Sequence, residues 1–248
     1  MQPGFRPAAG PPQPPGLRSV VDLVRTRVLD AELAALVGLL VEGGVPLVLA
    51  GGGSSAERVA VLRALAWSTE VEAPDRGPNG HPPLRLLIGD LDAGSPDPAL
   101  VERLRGLGVT DAAGAGLALG LQARSLEEVL ARLRAEPVGL ADDQLSFLGL
   151  VLVLVPGEGG SGSSRVTSAH YLRPLARDAG GHVQRLGPAV LATWDSVRGE
   201  FEHFAWGILP ELAARVGKRA GDLEREQAHR ARHLAEFATS SASAGGGA

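Results

Sequence analysis

Residues 45–65 read VPLVLAGGGSSAERVAVLRAL: an apolar strand, three glycines, two serines and an Ala/Leu-rich helix in direct succession. That is the layout of a phosphate-binding loop, in which glycine N–H groups cradle phosphates, a lysine neutralises them and a Ser/Thr hydroxyl holds Mg²⁺. Laid on the pattern G-x-x-x-x-G-K-[ST], the run Gly51, Gly52, Gly53, Ser54, Ser55, Ala56, Glu57, Arg58 keeps part of the glycine cradle. Glu57, however, stands at the lysine position and Arg58 at the hydroxyl position. The chain's only lysine, Lys218, lies far downstream. The simpler alternative is a glycine-rich strand-to-helix turn that holds no ligand.

On either side the pattern alternates. Residues 17–28 and 30–42 predict helices, the second capped by Asp30 and closed by Gly43 and Gly44. Pro46 to Ala50 is a short apolar strand of the kind buried on both faces of a parallel sheet, and residues 56–67 form the helix after it. A polar loop over 70–83 leads to a second buried strand, Leu84 to Leu91, which carries Asp90 near its end. Helix over 96–107, strand over 117–122 and helix over 126–134 follow, the last with Ser125 and Glu128 spaced as a capping box. Strand and helix in this rhythm predict a parallel α/β sheet. After Pro137 the period changes: 149–155, 165–177, 182–194 and 200–206 predict an antiparallel meander, closed by helices over 208–216 and 220–237. Trp194, Tyr171, Phe201, Phe204 and Trp206 are the expected core of that meander.

Composition narrows the partners. At 248 residues and 44% hydrophobic the chain can bury a full core, and 24 basic against 28 acidic residues give a formal charge of −4. Nothing there steers the chain toward nucleic acid. Without cysteine there is no disulfide, thiolate metal site or Cys nucleophile, in keeping with a cytoplasmic location. The His residues predict no metal site: His229 and His233 sit four apart on an expected helix, where a solvated polar face is the simpler reading. The longest apolar run, Leu148 to Val155, is strand length, so no transmembrane segment is expected. The Pro-rich lead 1–16 and the Ser/Ala/Gly tail 239–248 are expected to be disordered.

Three segments together resemble the secretion and pilus-assembly ATPases of the type II/type IV systems, a branch of P-loop hexameric motors. LVLAGGGSSAERVAVLRALA resembles their strand, P-loop and helix; LRLLIGDLDAG (84–94) resembles their Walker B strand; GLALGLQARSLEEVLARL (116–133) resembles the stretch that in them contains a signature histidine. The resemblance covers about 28–155 and implies a RecA-like P-loop core over 17–147. An antiparallel β subdomain over 148–207 would pack on that core, with C-terminal helices over 208–238. It also implies ATP and Mg²⁺ as ligands, held by Gly51 to Arg58, with Asp90 as the catalytic carboxylate, and a homo-oligomer or a secretion-type ATPase as partner. Peripheral association with a membrane secretion complex follows from the same resemblance.

The departures bear on activity. Glu57 replaces the P-loop lysine and Gln122 the signature histidine, while the Walker B acid survives only as Asp90. Losing a charge-assisted phosphate contact costs about 1.5–3 kcal/mol, and a carboxylate at the same helix N-terminus adds roughly 0.5–1 kcal/mol of repulsion. Together these weaken nucleotide binding about 30- to 1000-fold. Arg58 or Arg63 is the available substitute cation, and Glu57→Lys with Arg58→Thr is expected to restore affinity. The expectation is a fold retained with catalysis impaired; an active ATPase with an atypical loop and an anion or small-molecule binding module are the alternatives.

Overall fold

The computed structural model describes residues 19–66, 85–94, 97–108, 115–157, 164–177, 180 and 182–244. The lead 1–16 and the loop 70–83 lie outside these residues.

Helices α1 (Val20–Arg25) and α2 (Ala31–Glu42) precede β1 (Leu47–Gly51), α3 (Ser55–Leu65), β2 (Arg85–Asp90), α4 (Pro98–Arg105), β3 (Ala115–Leu121), α5 (Leu126–Arg134) and α6 (Asp142–Leu145). Then come β4 (Leu150–Val155), β5 (Arg165–Tyr171), the short ribbon β6 (Ala176–Arg177) and β7 (Val183–Gln184), β8 (Ala189–Asp195) and β9 (Glu200–His203). A 3₁₀ turn (Ala205–Ile208), α7 (Leu209–Arg215) and α8 (Ala220–Ala244) close the chain.

One seven-stranded sheet in the order β2-β3-β1-β4-β5-β8-β9 organises them. Its first four strands are parallel and the rest antiparallel. The expected β subdomain over 148–207 is therefore corrected. β4 is itself a parallel partner of β1, Leu47 facing Leu150 and Ala50 facing Val153, and β5, β8 and β9 extend the same sheet from its other edge. The apolar run LVLVLV could not distinguish a strand central in one sheet from the first strand of a second.

Alternation along β1 and β4 sorts the core into two layers. Leu47, Leu49, Leu150, Leu152 and Leu154 pack with α1, α2, α3, α7 and α8, whereas Val48, Ala50 and Val151 pack with α4, α5 and β3. α2 lies almost wholly inside, with Leu33, Leu36, Leu39 and Leu40 all buried; each contributes about 1.5–3 kcal/mol of burial. Its N-cap Asp30 accepts from the Leu33 N–H at 2.9 Å, and Gly44, at φ 81, takes the chain out of the helix.

The last helix is anchored along its length and runs further than expected. α8 packs on α1, α2 and α7, buries Leu223, Leu234 and Ala238 and pairs Arg230 with Glu42, so one face is docked on its own core. It also continues through 239–244, where a disordered tail was expected. The Thr239 and Ser240 hydroxyls bond the Glu236 carbonyl, and alanine there costs no side-chain entropy. The aromatic set divides as well. Tyr171 is buried and Phe201 meets Trp194 edge-on at 5.1 Å, but Phe204 is 40% and Trp206 78% exposed and neither is core.

Asp30 carries a second duty, as its other oxygen lies 2.8 Å from His203 Nε2 on β9. Burial opposes the charged imidazole, but the hydrogen bond and charge of Asp30, with Glu32 adding, hold the His203 pKa above its ordinary value. A raised pKa gives stability fully present below the unfolded value of about 6.5 and lost as pH rises through the folded value. His203→Gln is therefore expected to flatten the fall in stability above about pH 6.5, measured by urea unfolding at stepped pH. An unchanged slope would show that the pair is not coupled to folding.

Candidate functional site

The carboxyl ends of β1, β2 and β3 meet where the chain leaves β1 toward one side of the sheet and β3 toward the other. In parallel sheets such a switch point is where ligands bind. β1 and β2 run parallel in one sheet, with β3 alone between them.

The glycines serve the chain's own backbone. Gly51 has φ 136 and lies so close to β4 that a Cβ on it would stand 1.8 Å from the Leu154 carbonyl oxygen. The Gly52 N–H donates to that same oxygen at 3.2 Å. Gly53, at φ 91, turns the chain into α3, and Ser54 caps the helix by accepting from the Glu57 N–H at 3.1 Å. Ser55 and Ala56 begin the helix, and Glu57 folds back over the loop. Its Oε2 would lie 2.1 Å from a Cβ on Gly53, while Oε1 accepts from the Ser164 hydroxyl at 2.6 Å. A carboxylate of the chain itself thus sits against the loop.

Arg58 completes the closure. Its side chain is 2% exposed and makes a bidentate pair with Asp90, Nε to Oδ2 at 2.6 Å and Nη2 to Oδ1 at 3.0 Å. Nη1 donates to the carbonyls of Gly51 at 3.1 Å and Gly53 at 3.2 Å. The loop therefore turns carbonyl oxygens toward an internal cation. Two expectations change as a result. Arg58 is not a free substitute for the missing lysine, and Asp90 is a buried, fully engaged carboxylate on its strand. Arg63 is exposed on the outer side of α3. Arg58→Thr, expected to help nucleotide binding, would instead strand a buried Asp90, a cost of about 3–5 kcal/mol.

Asp92 extends the network outward. Its carboxylate accepts from Arg132 Nη2 at 2.6 Å and from the Gln122 N–H, and lies 3.7 Å from Arg58 Nη2. Burial pushes its pKa up, but hydrogen bonds from Arg132 and Gln122 and the charges of Arg132 and Arg58 outweigh this and hold it below the ordinary value. Stability from a depressed carboxylate is present above its unfolded pKa and lost as pH falls through the folded one. Asp92→Asn is expected to reduce the acid-side loss of stability in urea titrations below about pH 4, and an unaltered acid limb would contradict it.

Sequence reasoning named Gly51 to Arg58, Asp90 and Gln122, which the structure gathers at one sheet end. It missed Arg132 and Ser164, which reach the site from 40 and 107 residues away in sequence from their partners and leave no local signal. Lys218 pairs with Glu226 on α8, and Asp142 and Asp143 pair with Arg185, with Arg134 also on Asp142. Both oxygens of Asp90 and both of Asp92 already accept from arginine, so neither presents the unengaged carboxylate that would anchor Mg²⁺. Among the described residues no group of three or more His, Cys, Asp or Glu side chains comes together as a metal site. No protein-family model matches the chain, and no curated protein matches it. No helix among the described residues is long and apolar enough to cross a membrane.

Proposed function

We propose that this chain is a secretion-ATPase-like protein built on a RecA-like P-loop core, that it does not hydrolyse ATP, and that it acts as a cytoplasmic structural or regulatory subunit of a secretion or pilus motor. The observation that carries the reading is Arg58. A residue at the position of the Mg²⁺-anchoring hydroxyl instead fills the strand-end crevice and binds the acid at the Walker B position. The strand order, with the loop on β1 and Asp90 on β2 one strand apart, supports the P-loop kinship. Closing the crevice with an internal ion pair leaves the scaffold rigid at the place where a motor of this kind would cycle.

A subunit of that kind needs a face for its partner. Trp206, 78% exposed, and Phe204 follow directly on the edge strand β9, and a large exposed aromatic beside an edge is the composition of an interface anchor. The expected result is self-association, or co-purification with a secretion-type ATPase from the native cell, that Trp206→Ser weakens at least about tenfold. Sedimentation velocity and pull-down measure it. A strictly monomeric chain that recovers no such ATPase would overturn the partner role.

A further inference from the structure

A second constellation lies on α8, away from the loop. His229 and His233 are one helical turn apart, both exposed, and their Nε2 atoms approach to 3.1 Å with the rings at 73° to one another. Two nitrogens bound to one ion at about 2.0–2.1 Å stand roughly 2.9–3.4 Å apart, the span between right-angle and tetrahedral geometry. The observed separation falls inside it.

Two further features suit ligation. His233 Nδ1 lies 3.5 Å from Glu236 Oε2, the outer-carboxylate arrangement that orients an imidazole and leaves Nε2 to the metal. The helix between and around the pair is also anchored: Arg230 Nη2 donates to Glu42 Oε2 at 2.7 Å and Leu234 is buried, so the two rings are held on one fixed backbone.

We propose that His229 and His233 form a two-imidazole site for a divalent transition-metal ion, with water in the remaining positions. Imidazole donors select Cu²⁺, Ni²⁺ and Zn²⁺ over Mg²⁺ and Ca²⁺, and Cu²⁺ binds most tightly of these. The site is independent of the loop and of the motor reading.

The test titrates the full chain with CuCl₂, ZnCl₂ and MgCl₂ in separate calorimetric runs. One equivalent of Cu²⁺ is expected to bind, more tightly than Zn²⁺, with no binding of Mg²⁺. Each of His229→Ala and His233→Ala is expected to weaken Cu²⁺ at least about tenfold, and the double variant about a hundredfold or more. Both side chains are exposed, so the variants are expected to keep the parent's circular dichroism, and electron paramagnetic resonance of the Cu²⁺ form is expected to show two nitrogen ligands. Undiminished Cu²⁺ affinity in the double variant, or no binding up to about 1 mM, would overturn the site.

Discussion

Replacing Arg58 with Met lowers the unfolding free energy by about 3–5 kcal/mol in a urea titration, the loss expected when one partner of a buried pair is removed and the other stays behind. Asp90 has a fully buried side chain, and with the guanidinium gone the Asp92 N–H, 2.9 Å from its Oδ1, is the donor left to it among the described residues. The Gly51 and Gly53 carbonyls lose a donor in the same step. Arg58→Met combined with Asp90→Leu is expected to recover most of that loss, because apolar groups of similar volume leave no stranded charge. A single variant within about 0.5 kcal/mol of the parent would mean that the pair does not hold the crevice shut.

Gly51→Ala is the second large effect, expected to cost at least about 4 kcal/mol and to stand among the rare severe substitutions. Two terms add. The residue sits at φ 136, where an L side chain is strained, and its Cβ would lie 1.8 Å from the Leu154 carbonyl oxygen, which is backbone in a central strand and cannot step aside. Gly94 separates the terms: it has φ 82 but nothing within 4 Å of a built Cβ, so Gly94→Ala is expected to cost only about 1–2 kcal/mol. Thermal or chemical unfolding of the two variants side by side measures the contribution of the strand contact. Equal losses would place the whole effect in backbone strain and contradict the close approach of β1 to β4.

The parallel half of the fold was legible because its signals are local. Asp30, Ser54 and Ser125 each cap the helix that follows them, and apolar β1 runs straight into the glycines 51–53 that end it. α5 runs over the predicted residues 126–134, although Glu128 accepts from the Arg124 N–H rather than closing the expected box on Ser125. What failed was non-local. The pairing of β4 with β1 depends on which sheet a buried strand joins, and period-2 and all-apolar patterns are silent on that. For the site, the residues were legible but not their direction. Sequence placed a cation beside a glycine loop, and only the fold shows that cation turned inward to Asp90 over a separation of 32 residues.

The claim at the centre is that the crevice at the ends of β1 and β2 is occupied by the chain's own Arg58 and does no nucleotide chemistry. ATP binding and turnover by the purified chain, each with and without Mg²⁺, tests it most directly. The account predicts no saturable binding below about 1 mM and no hydrolysis above the protein-free blank in either condition. Binding well below that concentration, with Mg²⁺-dependent turnover that Asp90→Asn abolishes, would contradict it and establish an active ATPase with an atypical loop.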